Sequence, residues 1–319
     1  MYTSKSLKII FAGTSCFSSK FLNIILNTQH VIVGILTQPD RVSGRGKKIK
    51  NSPVKKIAQY HNIPVFQPKS SQDLDKIVDN SQLVYCDIIL VVAYGIFLSK
   101  KILSFPKLGC INFHGSLLPL WRGSAPIHRA IQFGDKKTGI TIIKMDDGID
   151  TGPILNMRQC VITNYDTTGT LLDKLYQIGK DAIIETLYQL SIGKYVLYSQ
   201  NHSLATYAKK VNKKEAKINW KMSARQLDRN IRAFNPWPIS YFWISDQYVK
   251  IWKAIIDENI LFNYSPGEIL KVNSNGIYIG TGKGVLILQV LQLSGSKKSS
   301  IKESWHTYKK IFVPSSILP

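Results

Sequence analysis

A chain of 319 residues that is 44% hydrophobic has enough length and apolar content for two domains, each with a sizeable core, and is too apolar to be disordered. It contains nothing near the ~18 to 20 uninterrupted apolar residues of a membrane helix, and its opening MYTSKSLKIIFAGTS breaks at a Gly-Thr-Ser turn where a secretion signal would continue. Lys plus Arg is 42 against 20 for Asp plus Glu, a net +22 that favours a polyanionic partner. A Lys-, Ile- and Asn-rich composition inflates charge without purpose, so the placement of the charge has to decide. The four cysteines (Cys16, Cys86, Cys110, Cys160) are scattered, without a Cys-x-x-Cys pair, which fits reduced thiols in cytoplasm.

The first two-thirds of the chain alternates β-type runs with helix-like stretches. Lys8 to Gly13 reads as a strand, followed by a turn and an amphipathic helix over 18–26. A strand over 31–36 leads to a basic loop, a helix over 54–61 and a short run at Val65. Residues 87–93 (DIILVVA) are almost continuously apolar, as in a parallel strand covered on both faces. Further strands are expected over 110–113 and 139–145. This order predicts a doubly wound, Rossmann-like α/β sheet whose ligand sites lie beyond the carboxyl ends of its strands. The first turn, Gly13-Thr14-Ser15-Cys16-Phe17, is not G-x-G-x-x-G, and no G-x-x-x-x-G-K-[ST] loop occurs, which argues against NAD and ATP.

Residues 191–208 begin polar and irregular and read as a linker closing a first domain of 1–190. Within 209–319, a helix over 224–233 precedes strand-like runs at 240–244, 248–256, 267–272, 276–280 and 285–293, separated by turn signals. Short strands with tight turns predict a smaller OB-like β-barrel. From Lys209 onward there are 18 Lys and Arg against 7 Asp and Glu, an excess of 11, half of the net charge in a third of the chain.

Two polar runs stand at strand ends. In CINFHGSLLPLWRGSAPIHRAI (110–131), Asn112 and His114 are two apart at the end of an extended run, so both side chains can face one way. An amide and an imidazole so placed can both donate to one developing oxyanion. The second run, 145–153, reads M-D-D-G-I-D-T-G-P and offers three carboxylates. A carboxylate beside an imidazole orients it and stabilises its cation. Taken alone, Asn-x-His reads sooner as a turn cap and a hydrogen-bonded loop residue than as a catalytic pair.

N-F-H-G-S-L-L-P (112–119) followed by D-D-G-I-D-T-G-P (146–153) resembles the folate-dependent formyltransferase superfamily. The likeness extends through Phe11-Ala-Gly-Thr14, Thr37-Gln-Pro-Asp40, Gly44-Arg-Gly-Lys-Lys48, Val92-Ala-Tyr-Gly95, Trp121-Arg-Gly123, Arg232-Ala-Phe-Asn-Pro-Trp-Pro238 and Phe312-Val-Pro314. In order and spacing these are similar to the methionyl-tRNA formyltransferase family over nearly the whole chain. The resemblance implies Asn112, His114 and Asp150 as the catalytic trio, with Asp146 and Asp147 shaping the loop or solvated. It implies transfer of the formyl group of 10-formyl-tetrahydrofolate to the α-amino group of initiator methionyl-tRNA. That amine, with a reference pKa of about 7.7 to 8.0, attacks directly, so Cys110 needs no role. Ser116, Leu117, Leu118, Pro119 and Leu120 are then one wall of the folate site, and Ile96, Phe97 and Leu98 the other. The crevice residues make no zinc or magnesium ligand set, and no metal is expected. Leu120 departs from the pattern, since many members carry Arg or Lys there.

The stretch 38–50 is a Gly-punctuated loop whose five cations, Arg41, Arg45, Lys47, Lys48 and Lys50, the resemblance assigns to the acceptor end of the tRNA. Lys209, Lys210, Lys213 and Lys214 are expected to add phosphate contacts. A formyl-folate hydrolase or a sugar or purine formyltransferase would share the trio but leaves both basic regions unexplained. A non-catalytic RNA-binding protein explains the charge and leaves the trio idle. A monomer is expected.

Overall fold

The computed structural model describes residues 5–43, 48–80, 82–83, 85–257 and 263–319. In chain order the elements are β1 (Lys8–Gly13), α1 (Cys16–Leu26), β2 (Val31–Leu36), β3 (Arg41–Ser43), β4 (Lys48–Lys50), α2 (Pro53–Tyr60), β5 (Val65–Phe66), α3 (Ser71–Asp79), β6 (Ile88–Val92) and α4 (Lys100–Ser104). Then follow β7 (Cys110–His114), β8 (Arg122–Gly123), α5 (Pro126–Phe133), β9 (Lys137–Lys144), β10 (Ile154–Val161), α6 (Thr168–Ser191) and β11 (Tyr207–Ala208). The rest is α7 (Ala224–Ala233), β12 (Ser240–Ile244), β13 (Gln247–Asp257), β14 (Ile269–Asn273), β15 (Gly276–Gly280), β16 (Val285–Leu293), β17 (Ser299–Ser300) and α8 (Ile301–Ile311). The chain divides into two units, one of Met1–Pro126, Lys137–Cys160 and Leu172–Ala208, the other of Ile127–Lys136, Val161–Leu171 and Lys209–Pro319.

A seven-stranded sheet ordered β10-β9-β7-β6-β1-β2-β5 runs through the first unit. From β5 to β7 the pairs are parallel, and β1 and β6 are buried apolar runs, as strands covered on both faces must be. Neighbouring β1 and β6 carry the chain in opposite directions across the sheet. Their carboxyl ends, Gly13 and Val92, therefore flank a crevice of the kind where open α/β sheets bind ligands. α1 starts at that crevice. Ser15 and Ser18 form a reciprocal cap, and the Ser18 hydroxyl donates to the Val92 carbonyl at 2.6 Å.

Three sequence expectations change here. The run expected as a further strand over 139–145 is β9, and it pairs with β7 antiparallel, Asn112 opposite Ile143. An apolar β-run has the same period in either direction, so its sense cannot be read from pattern. Residues 191–208 are no free tether: Gln200 and Ala208 are buried and β11 pairs with β8. The basic stretch has paired arms, β3 against β4, with Arg41 opposite Lys50. Gly44, Arg45, Gly46 and Lys47 lie outside the described residues.

The second unit is built on an antiparallel sheet ordered β12-β13-β16-β15-β14, with β17 on β16. Among the described residues no pairing joins β12 to β14, so the sheet is open where a closed barrel was expected. Leu227 and Ile231 of α7 and Ile301 and Tyr308 of α8 pack with Phe242, Val249, Ile251, Ile279, Leu286 and Leu288 in one apolar cluster. No helix among the described residues is long and apolar enough to cross a membrane.

Candidate active site

β7 ends at the crevice with Asn112 half-buried and His114 buried. The loop after β9 brings Asp150 to both. The Asn112 amide donates through Nδ2 to Asp150 Oδ1 at 3.1 Å, and His114 Nδ1 lies 3.4 Å from Asp150 Oδ2. The three residues named from sequence therefore meet, with Asp150 as the common partner. One Asn112 N–H is used in this contact, and among the described residues no hydrogen bond takes up the other. His114 Nε2 is 2.9 Å from the Trp121 carbonyl, so both ring nitrogens face acceptor oxygens. The other carboxylates of the loop are turned away from this centre. Asp146 Oδ1 accepts from the Gly148 N–H and the Thr151 hydroxyl, and exposed Asp147 pairs with Lys100, whose hydrogen bond holds that carboxyl below the usual range. Gly152 is required where it stands: a Cβ there would lie 1.9 Å from the Lys144 carbonyl oxygen.

Trp121-Arg122-Gly123 contributes groups that sequence reasoning does not single out. Besides the Trp121 carbonyl on His114, the Gly123 N–H donates to Asp150 Oδ2 at 2.7 Å. Gly123 has φ +113°, and a Cβ would stand 2.9 Å from the Ala208 carbonyl oxygen, so only glycine brings this N–H to the carboxylate without displacing β11. Arg122 is buried and donates to Gln200, which in turn donates to the carbonyls of Asp150 and Gly152. The tripeptide was visible as a motif; the contribution of its main chain was not. Gln200 carries no local signal at all, since it stands 50 residues from Asp150.

The crevice walls are uneven. Ser116 is fully buried and its hydroxyl donates to the Leu120 carbonyl, while its own carbonyl accepts from Thr141. Leu118 and Leu98 are also buried. Leu117, Pro119 and Ile96 are half-buried, and Leu120 and Phe97 are exposed. On the other side Ala93 and Gly95 have φ of +48° and +84°, and the Tyr94 carbonyl accepts from the Thr14 hydroxyl and from Gln38 Nε2, each at 3.1 Å. Three strand-end loops are tied at that oxygen. Cys110 is inside β7 with its thiol 3.6 Å from the Ile102 carbonyl, and burial pushes it up well beyond the ordinary thiol range, which disfavours the nucleophilic thiolate.

Of the expected RNA contacts, Arg41 and Lys50 are exposed at the paired arms, and Lys48 forms the start of β4. The base of this hairpin is fixed by Asp40, which pairs with Lys55 and accepts from Gln67; the Lys55 hydrogen bond holds the Asp40 carboxyl below its usual range against the opposing effect of burial. Lys209, Lys210, Lys213 and Lys214 are exposed, and among the described residues their ammonium groups form no ion pair. The second unit also carries a cavity of about 530 Å³, lined by Lys253, Lys302, Tyr278, Asn275 and both polar and apolar neighbours, to which no member of the trio contributes. Among the described residues no three His, Cys, Asp or Glu side chains cluster as a metal site.

Residues 4–187 match the formyl transferase family, and residues 210–309 match the formyl transferase C-terminal domain. The chain belongs to the formyl transferase family. A methionyl-tRNA formyltransferase of Wigglesworthia glossinidia brevipalpis is 64% identical to it over 318 residues, covering 100% of both chains. Among solved structures, HypX from Aquifex aeolicus in complex with tetrahydrofolic acid shares the fold at TM-score 0.65 and 13% identity over 96% of this chain, which spans about half (48%) of HypX. An N-formyltransferase from Helicobacter canadensis, in complex with folinic acid and dTDP-3-aminofucose, gives TM-score 0.65 and 19% identity over 92% of this chain and 100% of that one. The formyl transferase match covers both sequence runs that carry the trio.

Proposed function

We propose that this formyl transferase moves the formyl group of 10-formyl-tetrahydrofolate to the α-amino group of initiator methionyl-tRNA, with Asn112, His114 and Asp150 as its catalytic residues. The observation that carries the reading is the convergence of Asn112, His114 and the Gly123 N–H on the Asp150 carboxylate at a strand-end crevice. The methionyl-tRNA formyltransferase that matches the full chain at 64% identity supports the choice of acceptor.

The crevice fits a folate. Among the described residues no hydrogen bond ties the main chain of Ile96, Phe97 or Leu98 to the protein, and the buried Tyr94 hydroxyl has no partner. Free main-chain groups beside the exposed Phe97 ring suit a flat heterocycle with N–H and carbonyl edges. When bound, 10-formyl-tetrahydrofolate supplies an activated formyl group.

The residues of the chain then have separate tasks. The unused Asn112 N–H donates to the oxygen on which negative charge develops. His114 joins it by exchanging the Trp121 carbonyl for that oxygen at Nε2, while Nδ1 stays on Asp150. The carboxylate of Asp150 holds both donors in place and receives, through water, the proton that the attacking amine loses; that proton goes on to the folate nitrogen, which leaves as its bond to the formyl carbon breaks. Leu117, Pro119 and Leu120 of one wall and Ile96 and Phe97 of the other exclude water. Arg41, Arg45, Lys47, Lys48 and Lys50 meet the acceptor end of the tRNA. The C-terminal unit, with its open antiparallel sheet, adds phosphate contacts through Lys209, Lys210, Lys213 and Lys214. Its cavity, with two lysines and a tyrosine ring, suits backbone charge and base stacking.

Incubation with 10-formyl-tetrahydrofolate and charged initiator tRNA should yield formylmethionyl-tRNA faster than free formate. Formate release without formylated tRNA would assign the chain to hydrolysis instead.

A further inference from the structure

Asp150 occupies the left-handed region, φ +54°, which residues with a Cβ adopt reluctantly and keep only where their surroundings hold them. Here the holding group is the side-chain amide of Gln200. Its Nε2 donates to the carbonyls of Asp150 at 2.9 Å and Gly152 at 2.7 Å, using both N–H groups. Its Oε1 accepts from Arg122 Nη2 at 2.7 Å and Nε at 3.2 Å. A guanidinium only donates, so Oε1 must face Arg122 and the NH2 must face the two carbonyls. Arg122 Nη2 also lies 3.0 Å from His202 Nδ1, which accepts there. Gln200 and Arg122 are both buried, at 6% and 2% exposure, and among the described residues neither makes a hydrogen bond to a side chain of the trio.

The main chain around Arg122 reaches the same centre. Trp121 on one side presents its carbonyl to His114, and Gly123 on the other gives its N–H to Asp150. One segment thus holds the imidazole, the carboxylate and, through Gln200, the backbone that aims the carboxylate.

We propose that Gln200 and Arg122 are positioning residues that hold the main chain of Asp150 so that its carboxylate meets Asn112 and His114. The proposal rests on the reading of Asp150 as their working partner. Gln200→Met removes all four hydrogen bonds at nearly constant volume. Gln200→Glu keeps the acceptor for Arg122 but turns an oxygen toward the Asp150 and Gly152 carbonyls where a donor is needed.

Both variants should lower kcat about 10- to 100-fold, the effect of losing two hydrogen bonds that aim a catalytic group, with KM for folate and tRNA within about twofold of wild type. In an Asp150→Ala background the same substitutions should cost little more, because there is no carboxylate left to aim. In the protein without substrate, the ¹⁵N resonances of the His114 ring should move in Gln200→Met in the direction they move in Asp150→Ala. Gln200→Glu carries the test should Gln200→Met fail to fold, since it leaves buried Arg122 partnered. Wild-type kcat in either variant, or an equal further loss on the Asp150→Ala background, would overturn the positioning role. An Asp150→Ala protein with unchanged turnover and unchanged His114 resonances would instead overturn the reading of the trio itself.

Discussion

The surroundings of Asp150 and the lysines at 209–214 both carry charge, yet they are built in opposite ways. The Asp150 carboxylate is 13% exposed, touches three groups of the chain, and has its own main chain held by a fourth. Lys209, Lys210, Lys213 and Lys214 are exposed and form no ion pair among the described residues. Chemistry on one bond requires fixed distances, so its groups are tied down before the substrate arrives. Attraction of a polyanion requires only charge near the surface, and flexible cations provide it. Turnover should therefore be sensitive to small geometric changes in the first region. Affinity should respond mainly to the number of charges in the second.

The strongest way to break that comparison is to remove a group from the fixed centre. Asn112→Ala should lower single-turnover transfer by about 100- to 1000-fold, the usual effect of an oxyanion donor, and Asp150→Ala, which releases both donors, by at least as much, with tRNA affinity unchanged in binding isotherms. Substitution of all four lysines by Ala should do the reverse. The rate at saturating tRNA should hold, while the salt dependence of binding flattens by a slope of about 0.7 to 0.9 for each phosphate that is no longer neutralised. Isotherms across a salt series measure this for initiator and elongator tRNA alike.

Two smaller effects sharpen the comparison. Cys110→Ala should leave transfer within about twofold and cost stability of about 1 kcal/mol, the ordinary effect of a buried truncation; urea unfolding beside a turnover assay separates the two. Glu215 pairs with Arg129, whose hydrogen bond chiefly holds its carboxyl below the ordinary glutamate range, with burial opposing. A depressed carboxyl stabilises the fold above the unfolded value and loses that contribution as pH falls through the folded one. Arg129→Gln should therefore be less stable than wild type at neutral pH. The difference should shrink as the medium is acidified, in urea unfolding measured at a series of pH values.

Local pattern made much of the fold legible. The runs at 31–36, 240–244, 276–280 and 285–293 are strands with those bounds, because each is a short run rich in β-branched, aromatic or other apolar residues, and 224–233 is a helix, because its apolar positions follow helical spacing. α6 is absent from the sequence reading although Leu171, Leu175, Ala182, Ile183 and Leu187 follow helical spacing along one buried face. Asn112, His114 and Asp150 could be picked out as side chains in motifs. The Trp121 carbonyl and the Gly123 N–H could not, since every residue has such groups and only the fold aims them. Gln200 lay in a polar stretch with no periodicity, and its role depends on partners 48 to 78 residues away.

The central claim is that the trio performs formyl transfer to the amine of methionyl-tRNA. Single-turnover transfer of labelled formyl from 10-formyl-tetrahydrofolate to initiator methionyl-tRNA, with wild type and His114→Ala side by side, tests it most directly. The account predicts formylmethionyl-tRNA from the wild type and a rate lower by at least about 100-fold from the variant, with tRNA still bound. A His114→Ala protein that formylates at the wild-type rate, or a wild type that releases formate and leaves the tRNA unmodified, would contradict it.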